Sequence, residues 1–155
     1  MKILGVIPSR MESKRLPGKP LLDINGKSMI QRVYESSINC KNLDDLIIAT
    51  PNDEIVSHVK EFNGNVLKTT DKPINGTERV YEAVEKINKK YDYIINIQGD
   101  EPFIKTEQIN DLIKICVKPN EICTLIKNET YSKELTQDSV TVSYTHLTLP
   151  TTSFV

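Results

Sequence analysis

The chain has 155 residues, of which 38% are apolar and 26% are charged, and its formal net charge is −1. This length predicts one domain with its own core, and the composition excludes an intrinsically disordered chain. No apolar run approaches the length of a membrane span, and too few residues precede Arg10 for a signal peptide, so we expect no membrane insertion. The three cysteines have no metal-ligand spacing and indicate reduced thiols in a cytoplasmic protein.

Strand-like and helix-like segments alternate along the chain. Continuous apolar runs predict strands, and apolar residues at three- and four-residue spacing predict helices. Ser28 and Asn52 are candidate N-caps of two helices, and Asn63 with Gly64 would end the second of them. This alternation predicts a parallel-dominated α/β sheet with helices on both faces. In chain order we predict a strand at 3–7, a helix at 28–39, a strand at 46–50, a helix at 52–62, a strand at 66–69, a helix at 77–91, a strand at 93–97, a helix at 106–117, a strand at 122–126 and the start of another at 140–142.

The segment after the first strand, residues 9–22 (the basic loop), is strongly cationic. With the two residues before it, it reads I-P-S-R-M-E-S-K-R-L-P-G-K-P-L-L. Two of the four arginines of the chain, Arg10 and Arg15, lie here together with Lys19. Arginine can contact phosphate through two hydrogen bonds, lysine adds a point charge, and glycine lets backbone N–H groups approach an anion. The loop therefore predicts a cradle for a nucleoside triphosphate, with a solvated basic turn as the alternative. It lacks interleaved aromatic residues, so no nucleic-acid partner is expected.

Two further loops follow later strands. Residues 76–79 read G-T-E-R and open a predicted helix, with Thr77 as a candidate cap and an N-terminus that attracts anions. The alternative is a plain capped helix with a surface arginine.

Residues 96–102 read N-I-Q-G-D-E-P and place Asp100 just past a buried strand. A carboxylate there can bind Mg²⁺ together with phosphate oxygens, and the alternative is an aspartate that only bonds backbone amides of a turn. Because ligands of α/β sheets bind at the carboxyl ends of the strands, the three loops are expected to converge.

The three motifs, in this order and at these separations, resemble those of the 3-deoxy-manno-octulosonate (Kdo) cytidylyltransferases of lipopolysaccharide biosynthesis, from about residue 2 to residue 142. The resemblance implies a Rossmann-like, glycosyltransferase-A-like nucleotidyltransferase fold. It also implies transfer of a cytidylyl group from CTP to Kdo, with Mg²⁺ as cofactor and a homodimer in the full-length family. Another sugar-acid cytidylyltransferase and a nucleotide-binding module without catalysis are the alternatives.

The resemblance also implies roles for single residues. Arg10 and Lys19 correspond to catalytic positions that contact the phosphates, and Asp100 corresponds to a catalytic position that binds magnesium. Gln98 corresponds to a residue close to the sugar. The remaining positions expected to bind substrate are Pro8, Ser9, Arg15, Gly76, Thr77 and Arg79.

The C-terminal part of the sequence differs from the rest. Asp138 is the last charged residue of the chain. We interpret residues 1–142 as the nucleotide-binding part of a cytidylyltransferase domain and residues 143–155 as a non-native tail, with an ordinary Ser/Thr-rich segment as the alternative. Members of the family continue beyond this length, and their continuation carries a second aspartate ligand, most sugar-binding residues and the dimer surface. The chain is therefore expected to be C-terminally truncated and inactive by itself.

Overall fold

The structure, a computed structural model, describes residues 1–12 and 16–115. Strands and helices alternate along this part of the chain, as the sequence predicts. In chain order the elements are β1 (Ile3–Pro8), a 3₁₀ turn (Lys19–Leu21), β2 (Asp23–Ile24), β3 (Lys27–Ser28), α1 (Met29–Ile38), β4 (Asp45–Thr50), α2 (Asp53–Glu61), β5 (Val66–Lys68), α3 (Gly76–Lys86), β6 (Tyr93–Asn96) and α4 (Thr106–Ile115). None of the described helices is long and apolar enough to cross a membrane.

Strand β1 lies inside a four-stranded parallel sheet of order β5-β4-β1-β6. It pairs with β4 on one side and with β6 on the other, so that Val6 aligns with Ile47 and with Asn96. Strand β5 pairs with the outer edge of β4. All four strands run in the same direction, which confirms the predicted parallel sheet and brings the loops that follow β1 and β6 to the same edge.

The two faces of the sheet carry different helices because side chains of a strand point alternately to either face. Ile3 and Ile7 of β1 pack in a cluster with residues of α1, α2 and α4, whereas Leu4 and Val6 pack in a second cluster with Val80 of α3 and its neighbours. Helices on both faces were predicted, and this is confirmed for the described part of the chain.

The helix boundaries follow the predicted caps except at the start of α3. Asn52 stands at the N-cap position of α2 as predicted, but its side chain makes no capping hydrogen bond. Ser28 caps α1 as predicted, since its hydroxyl accepts a hydrogen bond from the backbone N–H of Gln31 at 3.2 Å. Asn63 has a positive φ of 58°, and α2 ends before it. The cap of α3 is Asn75 and not Thr77, because the Asn75 side chain accepts from the backbone N–H of Glu78 at 2.8 Å.

Helix α3 ends at Lys86, earlier than the predicted position 91. Ile87 and Tyr91 continue the apolar spacing of α3, but they are not helical. Their apolar character is explained by packing, since both lie against the core cluster on the α3 side of the sheet. The Tyr91 hydroxyl donates to the Asp45 carboxylate at 2.7 Å, and the Asp92 backbone N–H donates to the carbonyl of Lys2. The strands predicted at 122–126 and 140–142, and the last two residues of the final predicted helix, lie outside the described residues.

The short hairpin of β2 and β3 was not predicted. Its turn is Asn25-Gly26, and both residues have a positive φ, of 51° and 80°. Asn-Gly between short strands is a strong hairpin signal because both positions of such a turn need this conformation. Arg32 of α1 donates to the carbonyls of Ile24 and Asn25 at 2.6 and 3.0 Å, so the hairpin is bound to the helix that follows it.

We expect Gly5→Ala to lower the free energy of unfolding by about 1–3 kcal/mol, since a side chain forced into a packed core displaces its neighbours. A Cβ atom at Gly5 would lie 2.8 Å from Leu46 Cδ1 and 3.2 Å from Ile97 Cδ1. Urea denaturation measures the effect, with Glu85→Ala on the exposed side of α3 as a control that should change stability by less than about 0.5 kcal/mol. Equal stability of Gly5→Ala and the wild type would contradict the tight packing of β1.

Candidate functional site

A cavity of about 900 Å³ lies at the carboxyl edge of the sheet, where the three loops meet. The basic loop enters it from β1, the start of α3 forms one wall, and the segment after β6 forms another. The expected convergence is therefore confirmed by the geometry. Of the residues singled out in the sequence, the cavity is lined by Pro8, Ser9, Arg10, Lys19, Gly76, Arg79, Gln98 and Asp100.

Two glycines let the backbones of these loops approach Pro8, the last residue of β1. A Cβ atom at Gly99 would lie only 2.8 Å from the carbonyl oxygen of Pro8, a distance that real Cβ atoms do not reach. A Cβ atom at Gly76 would lie 3.3 Å from Cγ of the same proline. A side chain at position 99 would therefore collide with the backbone of Pro8, and a side chain at position 76 would crowd the proline ring.

Lys19 and Asp100 form an ion pair across the cavity. Lys19 Nζ lies 2.8 Å from Asp100 Oδ2, although the two residues are 81 positions apart in the sequence. The side chains are 31% and 54% exposed, so the pair is reachable from solvent. Arg10 lies on the same cavity and donates a long hydrogen bond of 3.4 Å to the carbonyl of Ile74. The structure thus brings the three predicted catalytic residues together.

Arg79 differs from the other two cations because it is 3% exposed. Its guanidinium donates to Thr69 Oγ1 at 2.6 Å, to the carbonyl of Thr70 at 3.0 Å and to the carbonyl of Pro73 at 3.3 Å. Burial lowers the pKa of Arg79, and the positive charge of Arg10 lowers it further. The bonds of this arginine hold the connection between β5 and α3, and the same side chain contributes to the cavity wall.

Of the predicted site residues that the structure describes, Thr77 is placed differently. Thr77 is exposed on the first turn of α3 and is not among the residues that line the cavity. Arg15 lies outside the described residues, so its assigned role stays a prediction.

Glu12 lines the cavity and was not singled out from the sequence, although it lies within the basic loop. A backbone hydrogen bond lowers the pKa of its carboxyl group most strongly, and a hydrogen bond from Asn52 lowers it further. The charges of Arg10 and Arg79 have a smaller effect in the same direction. A carboxylate therefore stands next to the predicted phosphate-binding cations, and the side chain of Asn52 is one of the groups that hold it.

Two buried polar atoms near this edge have no hydrogen-bond partner within the described part of the chain. They are Oγ of Ser9, which lines the cavity, and Oδ1 of Asn96, the last residue of β6. Leaving such an atom without a partner costs about 1–3 kcal/mol, so a molecule bound in the cavity would gain a hydrogen bond at Oγ of Ser9, whereas Asn96 is not among the lining residues. Ser9 was expected to bind substrate, whereas Asn96 was not singled out.

A metal ion at this site would depend on a ligand as well as on the protein. The described residues contain no group of three or more histidine, cysteine, aspartate or glutamate side chains that could hold a metal ion by themselves. Mg²⁺ commonly binds through one or two carboxylates together with substrate phosphates and water. The accessible carboxylate of Asp100 at the cavity fits that mode of binding.

Comparison with known proteins places the chain in a family. The family model described as cytidylyltransferase matches residues 4–146. The chain is 51% identical over 129 residues to the 3-deoxy-manno-octulosonate cytidylyltransferase of Parabacteroides distasonis, and 46% identical over 127 residues to that of Cytophaga hutchinsonii. Each match covers 82% of this chain, and the chain spans about half the length of these relatives, 50% and 51%.

A solved structure of CMP:2-keto-3-deoxy-manno-octonic acid synthetase complexed with CTP is similar to the described fold. The match has a TM-score of 0.70 and 39% sequence identity, and it covers 74% of this chain and 46% of that one. Fold, motifs and sequence identity agree, and the chain belongs to the cytidylyltransferase family.

Proposed function

We propose that the chain is the nucleotide-binding half of an enzyme that transfers the cytidylyl group of CTP to Kdo, giving CMP-Kdo and pyrophosphate. The observation that carries the proposal is the meeting of Arg10, Lys19 and Asp100 on one cavity, in a chain about half identical to relatives that bear this name. Another sugar-acid cytidylyltransferase would use the same cavity, and so would a nucleotide-binding module without catalysis.

The proposed reaction forms one bond and breaks another at the α-phosphorus of CTP. The anomeric hydroxyl of Kdo attacks that phosphorus and loses its proton to water, and the bond between the α-phosphorus and the oxygen that bridges to the β-phosphate breaks, so that pyrophosphate leaves with that oxygen. Catalysis of such a transfer rests mainly on positioning and on neutralisation of charge. Arg10 and Lys19 are the cations that supply this charge in the described half.

Asp100 would hold Mg²⁺ together with phosphate oxygens, and the metal would add positive charge next to the transferring group. In this structure Lys19 Nζ lies 2.8 Å from the same carboxylate. An ion pair between such exposed side chains contributes only about 0–1 kcal/mol. Breaking it so that Asp100 binds a metal ion and Lys19 binds a phosphate therefore costs little.

The other predicted residues would contact the two substrates around this centre. Pro8, Ser9 and Gly76 line the wall on which we propose the nucleotide lies, and Thr77 stands beside them at the N-terminus of α3. Gln98 is exposed at the opposite wall and would contact the sugar acid. We further propose a cytoplasmic location and a homodimer for the complete enzyme.

Arg10→Ala and Lys19→Ala are each expected to weaken CTP binding about ten- to a hundredfold, because a charge-assisted hydrogen bond contributes about 1.5–3 kcal/mol. Isothermal titration of the chain with CTP in the presence of MgCl₂ measures this. Lys114→Ala is a matched control, since Lys114 pairs with Asp111 on α4 and does not line the cavity. If both cavity variants bind CTP as the wild type does, the cradle is not a phosphate site.

Asp100→Asn is expected to reduce the dependence of CTP binding on magnesium while leaving the fold intact, since the side chain is 54% exposed. The measurement compares CTP affinity with and without MgCl₂, and circular dichroism reports the fold. Asp111→Asn, an exposed carboxylate on α4, is the control. Unfolding of Asp100→Asn, with unchanged magnesium dependence in its folded fraction, would make Asp100 a structural turn residue.

Catalysis is expected to need the segment that relatives carry beyond the matched half. This chain should release little pyrophosphate from CTP and Kdo, because we propose that the second metal ligand and most of the sugar pocket belong to that segment, and their positioning can contribute a factor of about a hundred or more. The test compares it with a form in which the genomic sequence following codon 142 replaces residues 143–155, with CTP alone as the blank. Comparable turnover by the two forms would contradict the assignment of essential chemistry to the segment that relatives carry beyond the matched half.

A further inference from the structure

A backbone hydrogen bond joins two described residues of the basic loop, Met11 and Gly18. The backbone N–H of Gly18 donates to the carbonyl of Met11 at 3.0 Å, and Gly18 has a positive φ of 73° that suits the reversal of the chain. Arg10 immediately precedes this closure and Lys19 immediately follows it. The position of the Met11–Gly18 pair therefore decides where both cations emerge.

The closure is bound to the rest of the molecule by the side chain of Asn52, between β4 and α2. Its Oδ1 accepts from the backbone N–H of Met11 at 3.0 Å, and its Nδ2 donates to Oε1 of Glu12 at 3.0 Å. The backbone of Asn52 is itself fixed, since its N–H donates to Oγ1 of the fully buried Thr50 at 3.2 Å. One amide side chain thus connects two consecutive residues of the basic loop to the end of a central strand.

Asn52 does not use this side chain for α2. It stands at the N-cap position, but its side chain makes no capping hydrogen bond. The acidic residues Asp53 and Glu54 in the first turn stabilise the N-terminus of α2 instead. Loss of the Asn52 side chain therefore affects the basic loop more than the helix.

The bond to Glu12 has a second consequence. Arg10 attracts the Glu12 carboxylate, and its positive charge is one of the factors that lower the pKa of Glu12. Held by Asn52, Glu12 forms no ion pair with Arg10 in the described structure, and Arg10 keeps its guanidinium available to an anion. If Glu12 were released, its carboxylate would compete with phosphate for the same guanidinium.

We infer that Asn52 is a positioning residue for the phosphate-binding cations, acting through the Met11 peptide and the Glu12 carboxylate. The inference rests on the proposed function, because the cations are positioned for a nucleotide. Asn52 contacts neither cation and is not itself a catalytic residue.

The test uses Asn52→Ala with Asn39→Ala as the matched control. The side-chain amide of Asn39 likewise bonds a backbone group, since it donates to the carbonyl of Glu35 at 2.8 Å, but it does so at the C-terminal end of α1. Three quantities are measured on each form: CTP affinity with MgCl₂ by titration calorimetry, hydrogen exchange at the Met11 amide, and the free energy of unfolding.

We expect Asn52→Ala to weaken CTP binding about five- to tenfold and to accelerate exchange at the Met11 amide, with a loss of stability no larger than that of Asn39→Ala. Asn39→Ala should leave CTP affinity and Met11 exchange unchanged. Asn52→Asp should restore protection of the Met11 amide, since its carboxylate also accepts that hydrogen bond. It should not restore CTP affinity fully, because it sets a like charge beside Glu12.

The outcomes separate the two proposals. If the wild type binds CTP and Asn52→Ala binds it equally well, Asn52 does not position the cations. If the wild type fails to bind CTP, the proposed function fails, and Met11 exchange alone then decides whether Asn52 holds the loop. Unchanged exchange at Met11 in Asn52→Ala overturns the inference in either case.

Discussion

The site depends on the close approach of three backbone segments at Pro8, the residue where the central strand ends. Gly99 stands so near the Pro8 carbonyl that any side chain would collide with it, and Gly76 lies against the ring on the other side. These segments are far apart in the sequence and are brought together only by the fold. Because Asp100 follows Gly99 directly, the same contact brings its carboxylate to within 2.8 Å of Lys19. The backbone contact between Gly99 and Pro8 thus determines where the charged side chains of the cavity lie.

The cations around the cavity fall into two classes that burial distinguishes. Arg79 is buried and bonded to three groups of the connection before α3, so its guanidinium is engaged by the protein. Arg10 and Lys19 have weaker and more exposed partners, a long bond to a carbonyl and an ion pair of low net stability. A polyanion entering the cavity therefore meets two cations that exchange partners at small cost and a third that maintains the wall.

Much of this arrangement could be predicted because it follows from periodicity and from the topology of parallel sheets. The strands and helices arise from apolar spacing, and the meeting of the loops arises from strands that all end at one edge. The Asn25-Gly26 dipeptide indicates a hairpin turn, but the hairpin was not predicted because the prediction relied on apolar spacing. Other features depend on partners far away in sequence: the side chain of Asn52 bonds Met11, 41 positions earlier, although its place before a helix indicates a cap. The early end of α3 likewise depends on Tyr91 reaching Asp45.

The physical chemistry of the cavity also explains why nucleotide binding and sugar selection can reside in different halves of such an enzyme. A triphosphate is recognised through charge, which two lysine or arginine side chains and a few backbone amides supply from a single loop. A sugar acid is distinguished by its hydroxyl groups, and each of them needs a hydrogen-bonding partner at a defined position. On the described walls of the cavity, Gln98 is the predicted residue of that kind. Under the proposed function, charge recognition would fall to the half that this chain contains, and most of the hydroxyl recognition would fall to the half that its relatives carry beyond it.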